Sequence, residues 1–284
     1  MHFHRSTAEL FIPDGRPEAE ALSRTTHLAI GAHQDDLEIM AYDGIVRCYQ
    51  LPDKWFTGVV MTNGSGSART GVYAHYTDEQ MVQIRRIEQK KAAAIGDFAA
   101  QFLLDYTSSA IKDARNEQPL EDLKTILQAT HPEIVYTHNL ADKHDTHVGV
   151  TLKTIAALRS LPADTRPDRV FGCEVWRDLD WMVDSDKIAF DVSERENLQM
   201  ALLGVFDSQI AGGKRYDLAT LGRRRAHATY FESHGVDVTT GTTFAMELTP
   251  LIEDDSLDPL VFVQEKMQHF YDDVTQRVSK LLPR

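Results

Sequence analysis

The chain has 284 residues, and because 42% of them are hydrophobic it can build a full apolar core within one or two domains. Its formal net charge of -13 argues against a nucleic-acid partner, since such proteins usually carry a basic stripe. No segment approaches the roughly 20 apolar residues of a membrane helix, the first residues lack the order of a signal peptide, and the two cysteines form no CxxC pair. We therefore expect a cytoplasmic protein without a membrane partner.

Strand-like and helix-like segments follow one another through the first 161 residues. Residues 26–33 and 55–62 are short, apolar and rich in β-branched side chains, which is typical of buried parallel strands. Residues 78–96 instead carry apolar side chains at helical spacing and end in Gly96, a residue that suits a C-terminal cap. Further strands are predicted at 100–106 and 133–139, and further helices at 120–130 and 147–161. This order predicts a Rossmann-like, doubly wound, mostly parallel α/β sheet with helices on both faces.

The second half of the chain has a less regular pattern. Strands are predicted at 169–176, 187–193 and 242–251, and helices at 194–206 and 216–232. No internal repeat or low-complexity linker interrupts the sequence. We therefore predict a single domain over residues 1–284, with an N-terminal extension at 1–25 and a C-terminal continuation at 162–284. Within that continuation, the three consecutive arginines at 223–225 are expected on a solvated helix face, and Trp176 and Trp181 in the core.

A histidine and three carboxylates follow the first predicted strand in the segment "HQDDLE", residues 33–38. In open α/β sheets, ligands bind beyond the carboxyl ends of the strands, so His33, Asp35, Asp36 and Glu38 are expected to meet a ligand there. Carboxylates a few ångströms apart raise each other's pKa, and a bound cation would relieve that repulsion. The alternative interpretation is a helix N-cap, but a cap needs only one Asp.

A second polar cluster, "THNLADKHDTHVGV", follows the strand predicted at 133–139 and begins the next helix. It therefore belongs at the same edge of the sheet as the first cluster. Imidazole and carboxylate ligands suit Zn²⁺, which keeps an open position when three protein groups bind it in a catalytic site. Two histidines and one carboxylate also form the ligand set of non-haem iron. The pattern predicts a metal and leaves zinc and iron open. The polar residues of this cluster are His138, Asp142, His144, Asp145 and His147.

Three motifs resemble those of the PIG-L/LmbE-like family of zinc-dependent N-acetylglucosaminyl de-N-acetylases. "AHQDDLE" is similar to the family motif AHPDDxE, and "DKHDTH" is similar to its later HxDH element. "MTNGSGS", followed by Arg85, Glu88 and Ile95-Gly96, resembles a glycine-containing loop and an RxxE…LG helix. "FDSQI", residues 206–210, resembles a weaker SQ element. The resemblance runs from about residue 27 to about residue 210.

The resemblance implies a role for each matching residue. Asp35 matches the general base that acts on a metal-activated water, and His144 matches the residue that stabilises the oxyanion or protonates the departing amine. Arg85 matches a basic residue of the substrate pocket. Zinc is the cofactor that the family implies, with Fe²⁺ as the alternative. The three implied metal ligands are His33, Asp36 and His147.

Two positions depart from the family pattern. Gln34 stands where the family usually has Pro, which removes a rigid turn and leaves the ligand spacing unchanged. Thr146 stands where the family usually has Asp, although a carboxylate near a catalytic histidine normally fixes its tautomer and orientation. Asp142 and Asp145 are the two candidates to replace that carboxylate. Beyond Arg85, the predicted substrate contacts are Asn63, Tyr73, Asp142 and Asp145.

The expected activity is a metal-dependent hydrolysis that removes an N-acyl group, most simply N-acetyl, from a small amino-sugar substrate or a sugar conjugate. Two alternatives stay open: a hydrolase of the same fold that acts on a non-sugar amide or ester, and a sugar-binding relative that has lost turnover. The acidic composition does not choose between a monomer and a homo-oligomer.

Overall fold

A single mixed sheet forms the centre of the computed structural model, which describes residues 1–283. Its strands lie in the order β1-β4-β3-β2-β5-β6-β8-β7. The five inner strands β4, β3, β2, β5 and β6 run parallel, β1 pairs antiparallel with β4, and β8 runs antiparallel to both β6 and β7. The strands are β1 Glu9–Phe11, β2 His27–Gly31, β3 Phe56–Thr62, β4 Ala100–Tyr106, β5 Ile134–His138, β6 Arg169–Cys173, β7 Lys187–Asp191 and β8 Thr242–Glu247.

Helices cover both faces of this sheet, as the alternating sequence pattern predicts. One apolar cluster joins the inner strands to α6 and α7 through Leu123, Ile126 and Val150, and a second cluster joins them to α3 and α8 through Ile45 and Leu202. The doubly wound α/β fold is thereby confirmed. The helices are α1 Glu18–Ser23, α2 Asp36–Met40, α3 Tyr42–Cys48, α4 Asp78–Ile95, α5 Ser108–Lys112, α6 Gln118–Thr130, α7 Asp145–Arg159, α8 Glu196–Gly204, α9 Asp207–Ile210, α10 Tyr216–Tyr230, α11 Pro250–Glu253 and α12 Pro259–Leu281.

The strand order reverses between β2 and β5. From β2 the chain moves to β3 and β4 on one side, whereas β5 and β6 extend the sheet on the other side. Because the two strands are parallel neighbours, their carboxyl ends open at the same edge. This is the position where doubly wound folds bind ligands. Both polar clusters of the sequence lie there, since residue 33 follows β2 and residue 142 follows β5.

Several elements differ from the sequence-based expectation. The N-terminal extension adds β1 to the sheet edge and α1 beside it, and His4 Nδ1 lies 2.8 Å from Asp122 Oδ1. Two short helices, α2 and α3, stand between β2 and β3, where the predicted order has none. The long helix α12 was not predicted either. It packs on the body through Phe262, which is 5% exposed. No helix within residues 1–283 is both long enough and apolar enough to cross a bilayer.

The prediction of a solvated face for the three consecutive arginines is wrong for Arg224. Its guanidinium is buried and donates to the carbonyl oxygens of Glu38 and Ile39, at 3.0 and 2.9 Å. Those carbonyl groups lie in the last turn of the short helix α2. The last four carbonyl groups of a helix have no hydrogen-bond partner within the helix. Arg224 also donates to Gln199 Oε1 at 2.8 Å, so it ties α2 to α8 and α10.

Candidate active site

Three side chains at the sheet edge bring one ligand atom each to a common point. His33 Nδ1 lies 3.4 Å from Asp36 Oδ2, His147 Nε2 lies 3.3 Å from His33 Nδ1, and His147 Nε2 lies 3.5 Å from Asp36 Oδ2. A tetrahedral ion with bonds of about 2.0–2.1 Å separates its ligand atoms by about 3.4 Å. The triangle therefore fits a tetrahedral metal with one side left open. These are the three predicted metal ligands, and the structure brings them together.

Asp142 holds one of these histidines from behind. Its Oδ2 atom lies 3.3 Å from His147 Nδ1 and accepts the backbone N–H of Trp176 at 3.1 Å, while its Oδ1 accepts the backbone N–H of His144 at 2.9 Å. Burial raises the pKa of Asp142, but its hydrogen bond with His147 and the charge of that ring lower the pKa more, so the net shift is downward. A carboxylate on the far nitrogen fixes the tautomer of a metal-binding histidine. Where the family usually has Asp, this chain has Thr146, and Asp142 supplies a carboxylate nearby. Asp142 contacts the ring of His147 and therefore orients His147, not the imidazole of His144.

The neighbouring carboxylates Asp35 and Asp36 titrate in opposite directions. Both are buried, which raises the pKa of each, and for Asp35 burial together with Asp36 outweighs Arg85, so its pKa lies well above the usual range. For Asp36, the His147 and His138 rings outweigh burial and hold the pKa well below the usual range. One carboxylate is therefore suited to bind a cation and the other to receive a proton. Environments that push two titratable groups apart in this way mark the acid and base of a site.

Arg85 of α4 contacts the segment that carries Asp35. One guanidinium nitrogen lies 3.4 Å from Asp35 Oδ2 and also donates to the Gln34 carbonyl oxygen, and the other donates to the Ser67 hydroxyl. Arg85 is only 4% exposed, so this charge acts at low dielectric. One turn further along α4, Glu88 accepts the backbone N–H and the hydroxyl of Ser208, at 2.7 and 2.6 Å. The RxxE helix and the SQ segment of the sequence analysis are thereby joined.

His144 stands at the mouth of the metal triangle. It precedes α7, and its ring centre lies 5.1 Å from that of His33 and 4.6 Å from that of His147. Burial and the charge of His33 lower the pKa of His144, so its ring is neutral near pH 7. The Nδ1 atom of His144 is buried without a hydrogen-bond partner among residues 1–283. A neutral ring with a free nitrogen can take up or give a proton beside a bound substrate.

His138 is a functional neighbour to which the sequence analysis gave no role. Its ring stacks on His147 with centres 3.9 Å apart, and its Nε2 accepts the backbone N–H of Ala32 at 2.9 Å. His138 also lies within ligand distance of Asp142 and His147, as a second buried trio. Because its Nε2 lone pair is already engaged by Ala32, His138 fits a supporting role for the loop after β2. Its place as the last residue of β5 was the available signal.

A cavity of about 430 Å³ opens in front of the metal triangle. The sheet edge supplies one wall, and the second half of the chain supplies the opposite wall. Trp176 is half-buried in that opposite wall, so the core position expected for it is wrong. Lys112, Lys214 and Tyr216 also line the cavity and were not singled out by sequence reasoning. Those positions lack a local motif, since only the packing of distant segments brings them to the cavity.

Three predicted substrate contacts are not among the residues that line this cavity. Asn63 Oδ1 accepts the backbone N–H of Ser65 at 3.1 Å and so shapes the loop after β3. The Tyr73 hydroxyl donates to Asp207 Oδ2 at 2.6 Å. Asp145 is exposed at the start of α7. The structure does not bring these residues to the metal triangle, and their part in substrate binding stays a prediction.

The sequence of the chain matches known proteins over the segment that builds the sheet edge. Residues 28–158 match the PIG-L family, described as GlcNAc-PI de-N-acetylase. An Escherichia coli (strain K12) protein named uncharacterized deacetylase YaiS is 28% identical over 144 residues, which cover 51% of this chain and 74% of that protein.

Solved structures share the fold at lower sequence identity. The N,N'-diacetylchitobiose deacetylase of Pyrococcus horikoshii superposes with a TM-score of 0.59 at 17% identity, over 78% of this chain and 83% of that one. The 4-carboxy-2-hydroxymuconate hydratase GalB of Pseudomonas putida KT2440 superposes with a TM-score of 0.57 at 15% identity, over 79% and 95%. At such identities the likeness shows the fold alone. Because one of these enzymes is a deacetylase and the other a hydratase, the reaction has to be argued from the site.

Proposed function

Since this chain belongs to the PIG-L/LmbE-like family, we propose that it is a metal-dependent hydrolase that removes an N-acyl group from an amino sugar or a sugar conjugate. The observation that carries the proposal is the triangle of His33, Asp36 and His147 atoms, 3.3 to 3.5 Å apart, beside a buried carboxylate of raised pKa at a cavity. A sugar-sized cavity with few convergent polar groups is the usual form of a small-molecule site.

The donor set fits a zinc ion. His33, Asp36 and His147 would hold it, and the spacing of their ligand atoms matches the edges of a tetrahedron around bonds of about 2.0–2.1 Å. When bound, such an ion polarises the acyl carbonyl and acidifies a water molecule. Asp142, at His147 Nδ1, would leave the Nε2 lone pair of His147 free to bind the ion. Iron uses the same kind of ligands and is the alternative metal.

Two side chains serve the reaction, one by transferring the proton and one by stabilising the developing charge. Asp35 takes a proton from the attacking water while the water oxygen forms its bond to the acyl carbon, and the upward shift of its pKa, caused by burial and by Asp36, favours that transfer. Arg85, 3.4 Å away, offsets part of the rise in the Asp35 pKa and orients its carboxylate. His144, across the cavity mouth, donates the N–H of its neutral ring to the acyl oxygen and stabilises the negative charge that develops there, while Asp35 passes the proton it took from the water to the departing nitrogen. The C–N bond breaks, and the products are a carboxylate and a free amine.

The opposite wall would hold the sugar. Trp176 and Tyr216 lie with ring centres 6.2 Å apart, nearly perpendicular to each other, and both line the cavity. Aromatic faces of this kind pack against the apolar face of a sugar ring, while the hydroxyls find polar partners such as Ser67 and Gln209 on the same lining.

The first test is metal content together with substrate choice. Elemental analysis of protein purified without a histidine tag should find about one equivalent of metal in the wild type and a loss of it in His147→Ala. Hydrolysis of N-acetylglucosamine derivatives is then compared with hydrolysis of aryl esters and non-sugar amides. A preference for the esters or non-sugar amides would replace the sugar substrate with another acyl compound. If the wild type binds no metal, even after incubation with zinc, the proposed metal-dependent hydrolysis is wrong.

A further inference from the structure

The backbone of Asp35 has a conformation that needs outside support. Its φ angle is 91° and its ψ angle is -28°, in the left-handed region that few residues other than glycine adopt. A residue keeps such a conformation only when the surrounding structure determines it from several sides, and this occurs often at functional sites. The question is which contact holds this peptide group.

Gln89 of α4 supplies that contact. Its Oε1 atom accepts the backbone N–H of Asp35 at 3.2 Å, and Gln89 is fully buried. We propose that Gln89 is a positioning residue, which holds the Asp35 backbone so that the carboxylate faces the cavity. The inference rests on the proposed function, in which Asp35 receives the proton of the attacking water.

The neighbours of Gln89 fix the direction of its amide. Its Nε2 donates to Glu38 Oε1 at 2.8 Å and to Gln101 Oε1 at 3.2 Å. The Gln101 amide is itself oriented, because its Nε2 donates to the Phe102 carbonyl at 2.9 Å and therefore leaves Oε1 for Gln89. An amide has one acceptor oxygen and one donor nitrogen. With the nitrogen engaged twice, the Gln89 oxygen has to face Asp35.

The helix α4 therefore contacts Asp35 through two side chains. Arg85 and Gln89 are four residues apart on α4, so they lie on the same face. Arg85 contacts the Asp35 carboxylate at 3.4 Å, while Gln89 binds its peptide N–H at 3.2 Å. Without the Gln89 oxygen, a buried N–H would lose its partner, and the peptide would leave the left-handed region to find another. The carboxylate would turn with it.

The metal ligand next in sequence is held independently of Gln89. The backbone N–H of His33 donates to Asp36 Oδ2 at 2.7 Å, and the backbone N–H of Asp36 donates to the His33 carbonyl at 3.3 Å. Loss of the Gln89 contact should therefore displace the base and leave the metal triangle in place. This separates positioning of Asp35 from general damage to the site.

The test compares Gln89→Met with Gln101→Met, using the best acyl substrate of the wild type. Both changes remove a fully buried amide of the same network, but only the first removes the acceptor for the Asp35 N–H. For Gln89→Met we expect kcat to fall by about 100-fold, the scale of a roughly 1 Å misplacement, with KM and metal content within about threefold of wild type. For Gln101→Met we expect kcat within about threefold, because Glu38 Oε1 still accepts from the Gln89 nitrogen at 2.8 Å and keeps the Gln89 oxygen on Asp35, and a similar fall in melting temperature.

Two further arms keep the outcome decisive. If Gln89→Met does not fold, Gln89→Asn takes its place: it keeps the amide, withdraws the oxygen by one methylene, and should lower kcat by about tenfold in the same pattern. Equal losses of kcat in the residue-89 and Gln101→Met variants, or a wild-type kcat in either residue-89 variant, would overturn the inference while the proposed function stands. A wild type that holds metal and hydrolyses no acyl substrate would overturn both.

Discussion

The two walls of the cavity are built in different ways. The sheet-edge wall, formed by His33, Asp35 and Asp36, is anchored by hydrogen bonds to backbone groups, and His147 behind it is anchored by the buried carboxylate Asp142. The C-terminal wall, formed by Trp176, Lys214 and Tyr216, is half-buried, and its contacts are face and edge contacts: Lys214 Nζ lies 5.0 Å from the Trp176 ring centre.

This difference indicates a division of labour. Proton transfer and metal binding need atoms fixed within a fraction of an ångström, and buried hydrogen bonds give that precision. Recognition of a substituent needs area and adaptable side chains, which aromatic rings and lysine stems provide. We therefore expect changes in the sheet-edge wall to lower kcat and changes in the C-terminal wall to raise KM.

The largest effect is expected for Asp35→Asn. Loss of the general base should lower kcat by about 10²–10⁴-fold, while metal content stays at the wild-type level because Asp36 and the two histidines are untouched. Steady-state kinetics and elemental analysis of the same preparation measure both. Asp53→Asn, a change of an exposed carboxylate far along the chain, is the matched control and should leave kcat unchanged. Near-normal turnover of Asp35→Asn would end its assignment as the base.

A buried carboxyl behind the C-terminal wall should govern stability instead of turnover. Burial raises the pKa of Glu174 from about 4.5 to about 7, although it accepts the backbone N–H groups of Phe244 and Leu179, which lower it. The folded protein therefore binds a proton that the unfolded chain loses above pH 4.5. The contribution of Glu174 to the free energy of unfolding is fully present below pH 4.5. It is lost as the pH rises through about 7, and the total loss is about 3 kcal/mol.

Glu174→Gln should remove that dependence. The difference in unfolding free energy between wild type and variant, measured in urea at pH 4.5 and pH 8, is expected to change by about 3 kcal/mol in favour of the variant at the higher pH. His227 Nδ1 lies 3.4 Å from Glu174 Oε2, but burial lowers the pKa of His227 to about 4, so its ring is mostly neutral in the folded protein at both pH values and contributes little to the difference. If the difference in unfolding free energy between wild type and variant is the same at both pH values, the pKa of Glu174 is not raised in the folded protein.

The smallest effect is expected for Trp176→Ala, which tests the C-terminal wall. KM should rise by about tenfold, the scale of one lost aromatic contact, with kcat within about threefold. The backbone N–H of residue 176 remains, so its bond to Asp142 survives the substitution. Trp181→Ala is the matched control, because Trp181 packs against Phe270 outside the cavity lining. A fall in kcat as large as that of Asp35→Asn would contradict the division between the walls.

Sequence patterns predicted the inner sheet well because its signals are local. The strand predicted at 100–106 is the observed β4, and the helix predicted at 120–130 differs from α6 by two residues at its start. The helices α2 and α3 escaped prediction because five and seven residues are too few to show a helical period. Arg224 was misplaced for another reason: its burial depends on the free carbonyls of α2, nearly 190 positions earlier in the chain.

The sequence by itself determined which residues are proposed as metal ligands and their order along the chain, because His33 and Asp36 are three positions apart at a strand end, and His147 follows the corresponding strand end. Parallel neighbouring strands then bring those ends together almost regardless of the loops. Only the tertiary structure decided three other contacts. They are the hydrogen bond from the Asp35 peptide N–H to Gln89, the contact of Asp142 with His147 Nδ1, and the packing of Trp176 against Tyr216 in the C-terminal wall of the cavity. Each of these depends on contacts between distant segments, and such contacts leave no period or spacing in the sequence.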